Sequence, residues 1–206
     1  FPTSLGEKVA LRILDPETGL DDFEKLGLEG SNLEKVKKAI RQPFGLILST
    51  GPTGSGKTTT LYTILRKLNQ ESVNIVSLED PVEYYMGGVN PSEFNTGVGY
   101  TFANGLRSIL RQDPNVIMLG EIRDTETTEL VIHAGLTGHM ILSTLHTNDS
   151  VGAIPRLIDL GAEPFLLASV VNLIIAQRLA RKICPDCKHE VEVPEALLKK
   201  VKQQIA

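Results

Sequence analysis

Gly51-Pro52-Thr53-Gly54-Ser55-Gly56-Lys57-Thr58 satisfies the spacing G-x-x-x-x-G-K-[ST]. The glycines let successive backbone N–H groups point at phosphate oxygens with no Cβ in the way, and a helix that starts at the lysine adds positive potential at its N-terminus. In this pattern Lys57 reaches the β- and γ-phosphates of a nucleotide such as ATP, the Thr58 hydroxyl ligates Mg2+, and the stretch from Gly51 to Thr59 forms the phosphate-binding surface. The flanks agree, because the apolar Leu46-Ile47-Leu48 runs in and the helix-forming Thr59-Thr60-Leu61-Tyr62-Thr63-Ile64-Leu65 runs out. A glycine-rich turn that merely contains a lysine is the bland alternative.

Carboxylates and imidazoles suited to water activation follow. Val116-Ile117-Met118-Leu119 reads as a strand ending in Gly120-Glu121. A glutamate there can hold or deprotonate water beside a γ-phosphate, or simply cap the strand and pair with Arg123. Glu79, after Ile75-Val76-Ser77-Leu78, opens the cluster Glu79-Asp80-Pro81-Val82-Glu83, which Pro81 keeps out of any helix. It reads either as a second water- or metal-positioning carboxylate, with Glu83 accessory, or as a solvated acidic turn. His146 ends the run Met140-Ile141-Leu142-Ser143-Thr144-Leu145 and can bond a γ-phosphate, while His139 precedes that run. Arg107 and Arg111, spaced i, i+4, form either a salt-bridged surface or a phosphate-facing pair for a neighbouring subunit.

These residues need a scaffold that brings strand ends together. Short apolar runs alternate with helical stretches from Phe44 onward, which predicts a mainly parallel sheet flanked by helices. Strands are expected at 44–49, 73–78, 115–119 and 139–144, and helices at 57–69, 102–112, 125–136 and 149–160. A helix capped by Ser31 or Asn32 should reach about Gln42. An earlier strand is expected over 7–14, a loop or small hairpins from Pro81 to Gly99, an apolar helical tail from Pro164 to Ile183 and a short amphipathic helix over 194–204.

The chain has 206 residues, 41% hydrophobic and 22% charged, with a net charge of −4. That balance speaks against a nucleic-acid-coating surface. Its apolar runs are too short to cross a bilayer. Two cysteines, Cys184 and Cys187, cannot make a disulfide framework, and their C-x-x-C spacing points to metal or redox chemistry. Only His189 stands nearby as a further ligand, against the four that structural zinc takes. The chain begins with Phe1 and is read as a cytosolic part of something longer.

These motifs, in this order, resemble the hexameric P-loop motors that drive type II secretion and type IV pilus assembly. The likeness is carried by the loop at 51–58, Leu78 to Tyr84, Leu106 to Pro114, Gly120 to Thr127, Leu136 to Asn148, Arg156-Leu157, Glu163 to Leu166, Ala176-Gln177-Arg178-Leu179 and Cys184-Pro185-Asp186-Cys187. It implies a RecA-like ATPase core at 31–180. Before it, 1–30 would be the end of a preceding domain with its linker, a remnant strand included. After it, 181–206 would open a cysteine-containing subdomain beyond a helical tail. It also implies ATP hydrolysis with Mg2+, an acidic box at Glu79–Glu83, Glu121 closing the Walker B strand, and His139 and His146 in a histidine box. Arg12 falls on an arginine position that such a domain supplies to the nucleotide. The C-x-x-C resembles half of a four-cysteine zinc motif of the extension and secretion branch, so zinc is expected in the intact protein and not in this stretch alone. A homo-hexamer is implied, at the cytoplasmic face of the inner membrane and acting on a platform protein there, with no nucleic acid bound and no direct membrane insertion. Asn115 departs from the family's usual Asp. The rival reading is a RecA-like ATPase that translocates nucleic acid.

Overall fold

The computed structural model describes residues 2–9 and 22–205. After a two-stranded antiparallel ribbon, β1 (Pro2–Thr3) and β2 (Gly6–Glu7), come α1 (Gly30–Ile40), β3 (Gly45–Thr50), α2 (Lys57–Leu68), β4 (Ile75–Glu79) and β5 (Val89–Glu93). The chain continues through α3 (Phe102–Ile109), β6 (Val116–Leu119), α4 (Thr125–Leu136), β7 (Met140–Leu145), α5 (Ala153–Asp159), α6 (Pro164–Val170), β8 (Val171–Ala176) and α7 (Glu195–Ile205). Six strands form one sheet in the order β5-β4-β6-β7-β3-β8, and every pairing in it is parallel.

The four inner strands, β3, β4, β6 and β7, are buried along their whole length and largely apolar because both faces are covered, as a parallel sheet with crossover helices requires. Side chains still alternate between faces with period two. Leu46, Leu48, Leu78, Ile117, Leu119 and Ile141 pack under α3, α4, α5 and α6. Ile47, Ile75, Val116, Met118, Met140 and Leu142 pack under α1 and α2, together with Phe23. Two capped helices hold their starts: Asp124 accepts from the Thr127 N–H at 2.8 Å and Thr101 from the Asn104 N–H at 3.2 Å. Each such cap satisfies a donor that the helix leaves orphaned.

Three segments differ from expectation. The helix expected over 164–183 stops at Val170, and 171–176 is the edge strand β8. The segment Val-Asn-Leu-Ile-Ile-Ala is too short for its periodicity to separate strand from helix, and its β-branched residues suit a strand beside β3. Inside the expected 81–99 loop, Val89–Glu93 pairs with β4 as the opposite edge strand, a place where Pro91 is tolerated. Of the described residues 7–9 in the expected 7–14 strand, only Glu7 is in a strand. Residues 10–14, Arg12 among them, lie outside the described residues. Among the described residues no helix is long and apolar enough to cross a membrane.

Candidate active site

In a parallel sheet every strand ends at the same edge, and ligands of such folds bind there. Here β3 delivers the 51–57 loop, β4 Glu79, β6 Gly120-Glu121, β7 His146 and β8 Gln177. All but Gln177 surround a cleft of ≈ 460 Å³ lined by Gly54, Lys57, Thr58, Glu83, Glu121 and His146 among others.

The loop is shaped for phosphate. Gly51 takes φ 141° with Gln177 O only 2.4 Å from where a Cβ would sit, so no other residue fits. Gly56, at φ 86°, precedes α2, and no side chain caps that helix. Its first-turn N–H groups are therefore left to a ligand. The buried Ser55 Oγ has no hydrogen-bond partner among the described residues. Lys57 Nζ donates to the carbonyls of Gly51 at 3.0 Å and Pro52 at 3.1 Å. Burial lowers the Lys57 pKa, and the Glu121 carboxylate opposes the shift. An orphaned hydroxyl, uncapped helix donors and a lysine resting on its own loop fit a nucleotide phosphate chain, with Thr58 placed to hold Mg2+.

Glu121 has both oxygens engaged: Arg123 Nη2 pairs with Oε1, and His146 Nε2 lies 3.3 Å from Oε2. His146 is held there because Thr50 Oγ1 accepts from the Thr147 N–H at 3.0 Å, joining the ends of β3 and β7. The pairing of Glu121 with Arg123 that the sequence offers as the structural alternative is present, with the guanidinium on the carboxylate itself.

Glu79 is only 3% exposed. Tyr62 Oη lies 2.7 and 2.9 Å from its two oxygens and Ser77 Oγ donates to Oε1 at 2.7 Å. Burial pushes the Glu79 carboxyl above its ordinary range, against the pull of those two hydroxyls. It is therefore not part of a solvated acidic turn, and it lines the cleft together with Asp80 and Glu83.

The structure does not bring every candidate to this edge. His139 precedes β7, at the opposite edge, with Nδ1 3.0 Å from the Ala134 carbonyl. At about 3.3 Å per strand residue it lies roughly 20 Å from His146. Arg107 pairs with Glu126 at 2.6 Å, and Arg111 Nη2 donates to Ser108 Oγ at 3.3 Å; both lie outside the cleft. They do not share one α-helix, since α3 ends at Ile109 and Arg111 sits in a 3-10 turn. Cys184 and Cys187 are exposed. Backbone N–H groups of Cys187 and Asp186 lower the Cys184 thiol below its ordinary pKa. Among the described residues no three metal-ligating side chains gather. Sequence reasoning missed Tyr62, which sits in an apolar helical stretch and looked like core. It also gave Gln177 no role, although Ala176-Gln177-Arg178-Leu179 had been noticed as a motif.

The fold and the site define a RecA-like P-loop domain. The sequence profile of the Type II/IV secretion system protein family matches residues 1–205, and the chain belongs to that family. It is 51% identical over 196 residues to the type II secretion system protein E of Pseudomonas aeruginosa, covering 95% of this chain and 39% of that protein. It is 53% identical over 191 residues to the type IV pilus assembly ATPase PilB of Myxococcus xanthus, covering 93% of this chain and 34% of that protein. The chain thus spans well under half the length of these relatives. Among solved structures, the pilus retraction motor PilT with bound ADP is similar at a TM-score of 0.66 and 39% identity, over 74% of this chain and 47% of that one.

Proposed function

We propose that this chain is the ATP-hydrolysing core of a motor for type II secretion or type IV pilus assembly. The observation that carries the reading is the meeting of Lys57, Glu121 and His146 at one sheet edge, beside a loop whose helix donors are uncapped. Lys57 moves from the Gly51 and Pro52 carbonyls to the β- and γ-phosphates. Glu121, released from Arg123, orients the attacking water and takes its proton, while His146 and Arg123 turn toward the γ-phosphate. Glu79 stays buried, and through Tyr62 it holds the acidic turn against α2. Thr58 would be the protein ligand of a bound Mg2+, which would supply charge neutralisation at the phosphates. Arg12 adds a guanidinium from the preceding domain. The whole protein works as a homo-hexamer at the cytoplasmic face of the inner membrane, passing its movement to a platform protein without inserting into the bilayer. It holds zinc where Cys184 and Cys187 are joined by two further ligands.

The test sets ATP against nucleic acid. The full-length protein should hydrolyse ATP in the presence of Mg2+ at a rate unchanged by added single- or double-stranded polynucleotide. Severalfold stimulation by polynucleotide would instead favour a nucleic-acid translocase.

A further inference from the structure

Gln177 lies outside the catalytic cleft and yet meets the end of β3 at two points and the phosphate loop at two more. Its backbone N–H donates to the Thr50 carbonyl at 3.0 Å, which extends the β3–β8 pairing by one residue. Its backbone oxygen fills the space beside Gly51 that a side chain there would need. Its side-chain Oε1 accepts from Ser49 Oγ at 3.1 Å, and its Nε2 donates to the Ser55 carbonyl at 2.8 Å. The last contact reaches 122 residues back along the chain, to the middle of the loop.

The consequence follows from peptide geometry. In a trans peptide the C=O of one residue and the N–H of the next point in opposite directions. Tying the Ser55 C=O to Gln177 therefore turns the Gly56 N–H away from β8, toward the cleft that Gly54, Gly56 and Lys57 line. Gly56 needs this tether more than another residue would, because a glycine has many backbone conformations to lose. The Ser55 hydroxyl does not help, since it has no partner of its own among the described residues.

We propose that Gln177 is a positioning residue for nucleotide binding: its side-chain amide fixes the Ser55–Gly56 peptide so that the Gly56 N–H is presented to a bound phosphate. This rests on the nucleotide-site reading above. It gives the Ala176-Gln177-Arg178-Leu179 stretch a task that strand pairing does not require. It also makes phosphate affinity depend on the segment leading to Cys184.

The experiment is ADP titration by calorimetry on the full chain, comparing wild type with three variants. Gln177→Met keeps length and removes both side-chain bonds. Gln177→Glu keeps the acceptor for Ser49 and loses the donor for Ser55. Ser49→Ala removes only the strand-side bond. A backbone donor to a charged phosphate contributes about 1.5–3 kcal/mol, so its loss of alignment should weaken ADP about tenfold or more in both Gln177 variants. Ser49→Ala should stay within about twofold of wild type. A structural role alone would show as lowered melting temperature of the nucleotide-free protein in step with affinity, Ser49→Ala included. Wild-type ADP affinity in Gln177→Met overturns the proposal, as does a loss in Ser49→Ala equal to that in Gln177→Met. If Gln177→Met fails to fold, Gln177→Glu decides alone, and wild-type affinity there overturns the proposal equally. A wild-type chain that binds no ADP would overturn the nucleotide site itself, a result distinct from all of these.

Discussion

Glu79 shows how far a single residue's role depends on what surrounds it. In sequence it stands in an acidic, proline-fixed turn and reads first as a water- or metal-positioning group, with solvated charge as the alternative. In the structure it is buried, with Tyr62 and Ser77 filling its oxygens. Because burial holds its carboxyl above the ordinary value of 4.5, the folded chain binds that proton more tightly than the unfolded one. The stability this provides is complete below the ordinary value and is lost as pH rises through the raised one. Melting temperatures taken from pH ~4.5 to ~8 should therefore fall in the wild type relative to Glu79→Gln as pH rises. A difference between the two proteins that stays constant with pH would contradict the assignment. The loop from Gly51 to Thr58 could be read directly, because its chemistry lies in one contiguous string. Tyr62 and Gln177 could not, because each acts through a partner that is distant in sequence and fixed only by folding.

At the scale of elements, the runs that alternate cleanly with helices were legible: β3, β4, β6 and β7 stand within two residues of their expected places. The two edge strands were not. β8 was hidden in an apolar stretch continuous with α6, and β5 among glycines, asparagines and a proline. Edge strands pair on one side only, and the usual strand signal is correspondingly weak. The turn before α1 also matters more than its polar sequence suggests. Phe23 is 3% exposed, in one apolar cluster with Val36, Ala39 and Leu61, and Lys67 pairs with Asp22 at 3.1 Å. Phe23→Ala should destabilise the chain by about 3 kcal/mol, a drop of roughly 10 °C in melting temperature. Leu197→Ala, on the exposed face of α7, should change it little. Equal, small effects of the two would mean that residues 22–28 are not docked on the cluster formed by α1, α2 and the sheet.

For the whole molecule, the parallel sheet is what makes a site out of scattered motifs: β3, β4, β6 and β7, spread over about a hundred residues, end at one edge, and each leads into residues that line the cleft. His139 illustrates the rule from the other side, since its place before β7 puts it at the far edge whatever its motif suggests. In the function proposed above this edge separates binding from chemistry, with Lys57 serving the phosphates and Glu121 the water. The direct measurement is ATP affinity and ATP turnover, side by side, for Glu121→Gln and Lys57→Ala in the full-length protein. Glu121→Gln should bind ATP within a few-fold of wild type and lose at least about 99% of turnover, while Lys57→Ala should lose binding itself. A Glu121→Gln protein that hydrolyses ATP at the wild-type rate would contradict it.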